Sequence, residues 1–97
     1  MKELPRLSLL ETFILDLLSE HRHMYGLEMV AASRGRLKRG SVYVTLGRME
    51  DKGYIESKEV EGEGQGPPRN VYRVTGHGAR VLAAWQMAGR AFAEGHS

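Results

Sequence analysis

Residues 34–75 constrain the fold most, because they contain a short amphipathic helix followed by two strand-forming stretches. A rotation of about 100° per residue places Val42, Leu46 and Met49 on one side of this helix, as a core-facing stripe requires. The opposite side carries small or lightly charged residues, namely Gly40, Ser41, Val44, Gly47 and Arg48. We therefore predict a helix over about residues 38–52 that is buried along one face and open along the other.

Two strands are predicted after this helix. Residues 54–61 and 70–74 contain the β-branched and aromatic side chains that pleated sheets favour. Between them, residues 62–68 contain three glycines and two prolines, which weaken extended structure and remove backbone donors. The pattern indicates a hairpin with an irregular tip.

Three further helices are predicted around this unit. Ser8 and Glu11 form a capping box, which begins a helix that ends near residue 20. A second helix covers about residues 25–33, and Thr75 caps a last one that continues to about residue 93. This order of three helices, two strands and a helix is typical of a winged helix-turn-helix, mostly α with a small β-hairpin (α+β). Residues 1–75 are expected to form the winged helix and residues 76–97 a dimerisation helix of the same compact unit.

Charge is distributed unevenly along a chain whose formal net charge is only +2. Arg34, Arg36, Lys38 and Arg39 precede the amphipathic helix without an acid among them, and residues 64–93 contain no Asp or Glu. Such segregation gives a nearly neutral molecule one positive face. A slender helix end surrounded by cations suits the major groove of DNA, because the helix reaches base edges while the cations bind phosphates.

Several function classes are excluded by what the sequence lacks. It contains no cysteine, which removes disulfides, thiol catalysis and thiolate metal sites. Polar residues interrupt the apolar run of residues 7–18, so neither a signal peptide nor a membrane span is expected, and the predicted compartment is the cytoplasm. No enzyme and no cofactor is predicted, since no catalytic or phosphate-binding motif occurs. His21 and His23 invite a metal site, but side chains two apart on a helix diverge, and none is predicted.

Ordered motifs in residues 25–78 resemble the PadR family of bacterial transcriptional regulators. The matching pieces are Tyr25-Gly26-x-Glu28-Met29, Leu37-x-x-Gly40-Ser41-Val42-Tyr43-x-x-Leu46-x-x-Met49-Glu50, Gly53-Tyr54-Ile55 and Gly66-x-Pro68-Arg69-x-x-Tyr72-Arg73-Val74-Thr75-x-x-Gly78. The resemblance implies a homodimeric regulator of the short C-terminal branch, usually a repressor. Its recognition helices would bind a pseudo-palindromic operator, and its first and last helices would form the dimer.

The chain departs from the family pattern at two places that bear on DNA. Lys38 stands where the family tends to have Ser, which removes a side-chain cap and adds a cation. The wing reads Gly66-Pro67-Pro68-Arg69-Asn70, whereas the family often has Gly-Arg-Pro-Arg-Lys. Two cations are therefore missing, and Arg69 is the best remaining contact of the wing.

The residues predicted to contact DNA surround the start of the recognition helix and the wing. Gly40 and Ser41 let the backbone approach a phosphate, and Val44 suits a thymine methyl group. Arg48 suits either a guanine edge or a phosphate, and the Tyr43 hydroxyl suits either a phosphate or an interior hydrogen bond. The full set is Lys38, Arg39, Gly40, Ser41, Tyr43, Val44, Arg48 and Arg69. For Arg69, a free hairpin end without a partner fits the sequence equally well.

A homodimer is predicted through the first and last helices. The last helix repeats apolar residues at heptad-like spacing over a length that one small core cannot cover. Leu7 and Leu9 lie outside the densest stripe of the first helix, which leaves apolar surface for a partner. The predicted interface consists of Leu9, Phe13, Leu82, Trp85, Gly89 and Phe92. Trp85 either anchors this seam, which the sequence favours, or lines a pocket for a small-molecule effector, which the resemblance implies for one branch.

Two functions from different classes follow. The first is a sequence-specific DNA-binding repressor whose partners are double-stranded DNA and a second copy of the chain, with no membrane partner. The second is a protein-interaction module that uses the same fold without DNA. The acid-rich residues 56–63 and the sparsely charged wing favour this second function.

Overall fold

The computed structural model describes residues 6–62, 64 and 66–94, with side chains as far as residue 89 in the last helix. In chain order, the described elements are α1 (Leu9–Glu20), β1 (Met24–Tyr25), α2 (Gly26–Ala32), α3 (Val42–Asp51), β2 (Ile55–Val60), β3 (Arg69–Val74) and α4 (Gly76–Glu94). The strands form an antiparallel sheet in the order β1-β3-β2, with Ile55 opposite Val74 and Val60 opposite Arg69. The predicted winged helix-turn-helix of the α+β class is confirmed.

One strand was missed by the sequence analysis. In β1, Met24 pairs with Tyr72 and Tyr25 pairs with Val71. Two residues are too few to show the alternation that identifies a strand, so only the pairing with β3 defines it. This pairing ties the start of α2 to the wing and brings Tyr25 close to the candidate interface.

A single core joins the helices to the inner face of the sheet. The predicted stripe of α3 is confirmed, since Val42, Leu46 and Met49 are at most 1% exposed. The other core residues with less than 3% exposure are Ile14, Leu15, Leu18, Met29 and Ile55. Each such apolar side chain stabilises the fold by about 1.5–3 kcal/mol when it leaves water. The core therefore fixes which face of α3 points outward.

Leu7 belongs to this core, and its predicted role as spare surface is wrong. Its exposure is 7%, whereas Leu9 is 90% exposed. The reason is that Ser8 is extended, with φ −72° and ψ 165°, so Leu7 is not in phase with the helix that follows. Helical spacing therefore assigns a residue to the wrong face when it is extended backward past the N-cap.

Candidate nucleic-acid interface

Residues 38–41 form a turn that leads into α3, so the helix begins four residues later than predicted. The Lys38 carbonyl accepts hydrogen bonds from the N–H groups of Ser41 and Val42, at 3.1 and 2.9 Å. Gly40 and Ser41 favour a turn over a regular helix, because both residue types have poor helix propensity. Lys38 and Arg39 consequently stand in front of the helix rather than in its first turn.

The face of α3 opposite the core is open. Val44 is 56% exposed and Tyr43 is 50% exposed, and Arg48 is also exposed. A Cβ atom added at Gly40 or Gly47 would meet nothing within 4 Å. The predicted orientation of this face is confirmed, while its contacts with DNA stay a prediction.

The cations beside this face carry uncompensated charge. Within the described ranges, no acidic group lies within 4 Å of the side-chain nitrogens of Lys38, Arg39, Arg48 or Arg69. The ion pairs in the described ranges are Lys52 with Glu11 and Arg73 with Glu56, and neither involves a cation of this face. Cations without an internal partner are the kind that phosphate groups bind.

Arg69 lies opposite Val60, in the last pair of the β2–β3 ladder before the loop at the tip of the wing. It is the first residue of β3, and its guanidinium carbon lies 5.3 Å from the centre of the Tyr25 ring. Tyr25 pairs with Val71, which is two residues from Arg69 and therefore on the same face of the sheet. The sequence analysis did not anticipate this contact, because it depends on β1.

Tyr43 joins the start of α3 to the start of α2. A Cβ atom added at Gly26 would lie 2.7–3.0 Å from the ring and hydroxyl of Tyr43, so the ring lies directly on the glycine backbone. Tyr43 and Arg69 then border one open cleft of about 400 Å³, whose other lining residues are Tyr25, Leu27, Glu28, Pro68 and Asn70. The cleft connects the recognition helix to the wing. The sequence analysis did not predict this cleft, and the adjacent Tyr25 and Gly26 of the family motif are the sequence feature that marks it.

Acidic side chains lie on the wing close to these cations. Glu56 is paired with Arg73 across the two strands, while Glu59 and Glu61 are exposed. Glu63 lies outside the described residues. The wing therefore contributes fewer free positive charges than the start of α3.

The predicted dimer residues fall into three groups. Leu9 is exposed, and Gly89 is exposed with open space around it. Phe13 and Trp85 are partly buried and pack against the core. Leu82 is only 6% exposed and packs inside its own protomer, so it has almost no surface left for a partner. The side chain of Phe92 lies outside the described ones.

An apolar groove follows the outer side of α1. Leu9, Leu10 and Phe13 line it together with Thr12, Asp16 and Arg36, and its volume is about 630 Å³. The Arg36 guanidinium carbon lies 5.7 Å from the centre of the Phe13 ring and covers one end. Nearby, Gln86 of α4 donates a 3.3 Å hydrogen bond to Asp16 of α1, so the two helices predicted to form the dimer already contact each other within the protomer.

Two findings concern other classes of site. In the part of the chain that the structure describes, no three His, Cys, Asp or Glu side chains are grouped as a metal site requires. No helix in that part is both long and apolar enough to cross a bilayer.

Comparisons with known proteins identify the family. The profile of the transcriptional regulator PadR-like family matches residues 14–84. A PadR family transcription regulator from Clostridium difficile R20291 is 28% identical, with a TM-score of 0.76 over 90% of this chain and 93% of that chain. A PadR-like transcription factor from Bacteroides fragilis is 27% identical, with a TM-score of 0.77 over 88% of this chain and 84% of that chain.

A third solved structure shows the same fold at lower identity. Bacillus subtilis PadR in complex with operator DNA is 20% identical, with a TM-score of 0.74 over 84% of this chain and 48% of that chain. No curated protein matches the chain. Because the family profile covers residues 14–84 of 97, the chain belongs to the PadR-like family and is a transcription regulator, not an enzyme.

Proposed function

We propose that this regulator is a sequence-specific DNA-binding repressor that acts as a homodimer on a pseudo-palindromic operator. The observation that carries the proposal is the open positive face at the start of α3. Val44 is more than half exposed there, and the cations around it have no acidic partner among the described residues. Bacillus subtilis PadR, which has the same fold, was solved with operator DNA, and this supports the same use of the fold here.

The residues of this face divide by the part of DNA that they suit. The apolar side chain of Val44 suits a thymine methyl group, and the Arg48 guanidinium suits a guanine edge or a phosphate. Gly40 and Ser41 have no bulk to hold the helix end away from the DNA backbone. Lys38 and Arg39, on the preceding turn, are assigned to phosphates, which set position rather than sequence.

The cleft beside α3 is assigned to the DNA backbone next to the groove. Arg69 is held over the Tyr25 ring, and Tyr43 is held on Gly26, so neither side chain has to be ordered on binding. Pre-ordered groups bind at a lower entropic cost than free ones. We therefore assign Arg69 and the Tyr43 hydroxyl to phosphate oxygens beside this cleft.

A homodimer would present two such faces. Palindromic half-sites lie about 34–36 Å apart, so a two-fold assembly must hold its recognition helices at that separation. Leu9, Phe13, Trp85 and Gly89 are the surface that we assign to the seam. A small-molecule effector beside Trp85 is the alternative role for that residue. Repression would follow from occupation of a promoter.

Selection from a random duplex pool with the purified chain tests the function. We expect one palindromic consensus, and an affinity for it that falls steeply as salt rises, since each phosphate contact raises log Kd with a slope of about 0.9 against log salt. A flat salt response with no consensus would contradict the proposal. That result would favour a protein-interaction module, for which the exposed Glu59 and Glu61 are the charged surface.

A further inference from the structure

The far end of α3 is fixed to both helices that are assigned to the dimer. Lys52 bonds to α1, and the backbone of Gly53 and Tyr54 bonds to the residues that begin α4. We propose that this α3 anchor, formed by Lys52 with Glu11 and by Thr75 with the Gly53 and Tyr54 backbone, sets the separation and tilt of the two recognition helices in the dimer. The inference rests on the proposed dimeric DNA-binding function.

The link to α1 is a partly buried ion pair. Lys52 Nζ donates to Glu11 Oε2 at 2.9 Å, while Glu11 Oε1 accepts from the Ser8 N–H at 2.9 Å. The two carboxylate oxygens thus have separate donors, and the residue is only 7% exposed. Because the capping box already fixes Glu11, Lys52 is bonded to a rigid point on α1.

The link to α4 is made by the Thr75 hydroxyl. It donates to the Gly53 carbonyl at 2.6 Å, with a longer contact of 3.1 Å to the Tyr54 carbonyl, and it accepts from the Gly78 N–H at 2.9 Å. The Thr75 N–H also donates to the Tyr54 carbonyl at 3.0 Å. Gly78 completes the contact, because a Cβ atom there would lie 2.0 Å from that carbonyl oxygen. The first turn of α4 therefore lies directly on the chain that leaves α3.

A small rotation of α3 about the anchor moves its N-terminal end, which we call the reading end, by a large distance. The ten residues of α3 span about 15 Å, so a tilt of about 10° at the anchor moves the other end by about 2.6 Å. Independent tilts of this size in two protomers change the separation of the reading ends by about 3.7 Å. Base pairs are stacked about 3.4 Å apart, so this change is roughly one base-pair step. The core stripe determines which face of α3 points outward, and the anchor determines its tilt.

A distance measurement without DNA tests the anchor directly. The chain has no cysteine, so Val44→Cys in the full chain gives one nitroxide label per recognition helix, at an exposed position. Pulsed electron paramagnetic resonance on the dimer then reports the separation of the two labels. We expect Lys52→Met with Thr75→Val to broaden the distance distribution by about 3–4 Å. Lys52→Arg with Thr75→Ser, which keeps the cation and the hydroxyl, should preserve the narrow distribution.

Loss of stability alone must be separated from loss of the anchor. Ile14→Val removes one buried methyl group without touching the anchor, and it is the matched destabilised control. The inference would be overturned if the distance distribution broadened equally in that control or kept its width in the folded double variant. It would also be overturned if no distance between protomers were detected.

A spacing series gives the functional readout. The duplex selected by the unaltered chain is lengthened or shortened by one base pair at its centre. We expect the unaltered chain to lose about 10-fold or more in affinity on this change, and the double variant to lose less than about 3-fold. Equal spacing penalties in the two proteins would overturn the inference while leaving the DNA-binding function standing. If no duplex is selected but the distance distribution between the labels still broadens in the double variant, the DNA-binding function fails and the role of the anchor in orienting α3 stands.

Discussion

The two ends of α3 differ in almost every physical respect. Its start is open and positively charged, with Val44 exposed and with Lys38 and Arg39 just before the helix, neither of which has an acidic partner among the described residues. Its end is closed, since Lys52 is paired with Glu11 and the Tyr54 backbone lies against Gly78. One helix thus has an end that leaves its groups free for a ligand and an end that uses its groups within the protomer.

This contrast teaches where substitutions should act. At the start, side chains contribute little to the fold, so replacing them should change binding with little change in stability. At the end, contacts link α3 to α1 and α4, so replacing them should change stability and the orientation of the helix. The following predictions either break this division or make it sharper.

The largest effect is expected from a glycine pair. Gly78→Ala places a methyl group 2.0 Å from the Tyr54 carbonyl oxygen, and backbone must move to admit it. We expect a loss of about 3 kcal/mol in the free energy of unfolding, measured by urea denaturation. Gly47→Ala is the matched control, because its methyl group meets nothing within 4 Å and alanine is the better helix former, with an expected gain of about 0.5–1 kcal/mol. Similar stabilities for the two variants would break the comparison.

The second prediction concerns binding on the open face of α3, which Arg48 shares with Val44 although it lies in the last turn of the helix. Arg48→Ala should weaken binding to the selected operator by about 10-fold, in line with a loss of about 1–3 kcal/mol for a base or phosphate contact. The unfolding free energy should change by less than about 0.5 kcal/mol, because the side chain is exposed. Fluorescence anisotropy and thermal melting check the two parts. Arg22→Ala removes the same charge from the exposed loop after α1 and should leave the affinity unchanged; an equal loss there would mean that only net charge matters.

How much of this contrast the sequence predicts depends on the range of the interactions. The stripe of Val42, Leu46 and Met49 is a local pattern, and it correctly gave the buried and open faces of α3. The cap of Thr75 on the last helix was also local and is confirmed by its bond from the Gly78 N–H. The contacts of the same hydroxyl with Gly53 and Tyr54 span about 20 residues, and no local pattern reports them.

The same limit explains what was misplaced at the candidate site. The contact of Arg69 with Tyr25 was missed, because without β1 nothing in the sequence brings the two residues together. Leu82 was assigned to a partner, although it packs in its own core. Heptad-like spacing shows that a helix face is apolar, but it does not show which of two apolar surfaces covers each residue.

The third prediction concerns pH dependence at the closed end. Burial alone would raise the pKa of the Glu11 carboxyl, but the Ser8 hydrogen bond and the Lys52 ammonium outweigh burial and hold that pKa below its ordinary value. A carboxyl with a lowered folded-state pKa adds stability above its unfolded pKa of 4.5, and this stability is lost as the pH falls through the folded value.

Lys52→Met should therefore reduce stability more at pH 7 than at pH 3. Because the Lys52 side chain is 46% exposed, solvent screening limits the expected loss at pH 7 to about 0.5–1 kcal/mol. Urea denaturation at the two pH values measures the difference. Lys58→Met, on the exposed part of β2, is the control and should show no such pH-dependent loss. The same loss at both pH values would mean that Lys52 acts by packing alone.

The smallest effect is expected where the open end meets the wing. Tyr25→Leu removes the ring below the Arg69 guanidinium, so Arg69 must be ordered when DNA binds. Since an exposed cation–π contact contributes about 0.5–1 kcal/mol, operator affinity should fall by roughly 2- to 5-fold. Tyr25→Phe keeps the ring and should retain the affinity. In an Arg69→Ala background, Tyr25→Leu should have no further effect on binding, because the ring then has no cation to hold. If Tyr25→Leu lowered operator affinity just as much in that background, the ring would have its own contact with DNA. The DNA-binding surface at the open end of α3 would then include β1.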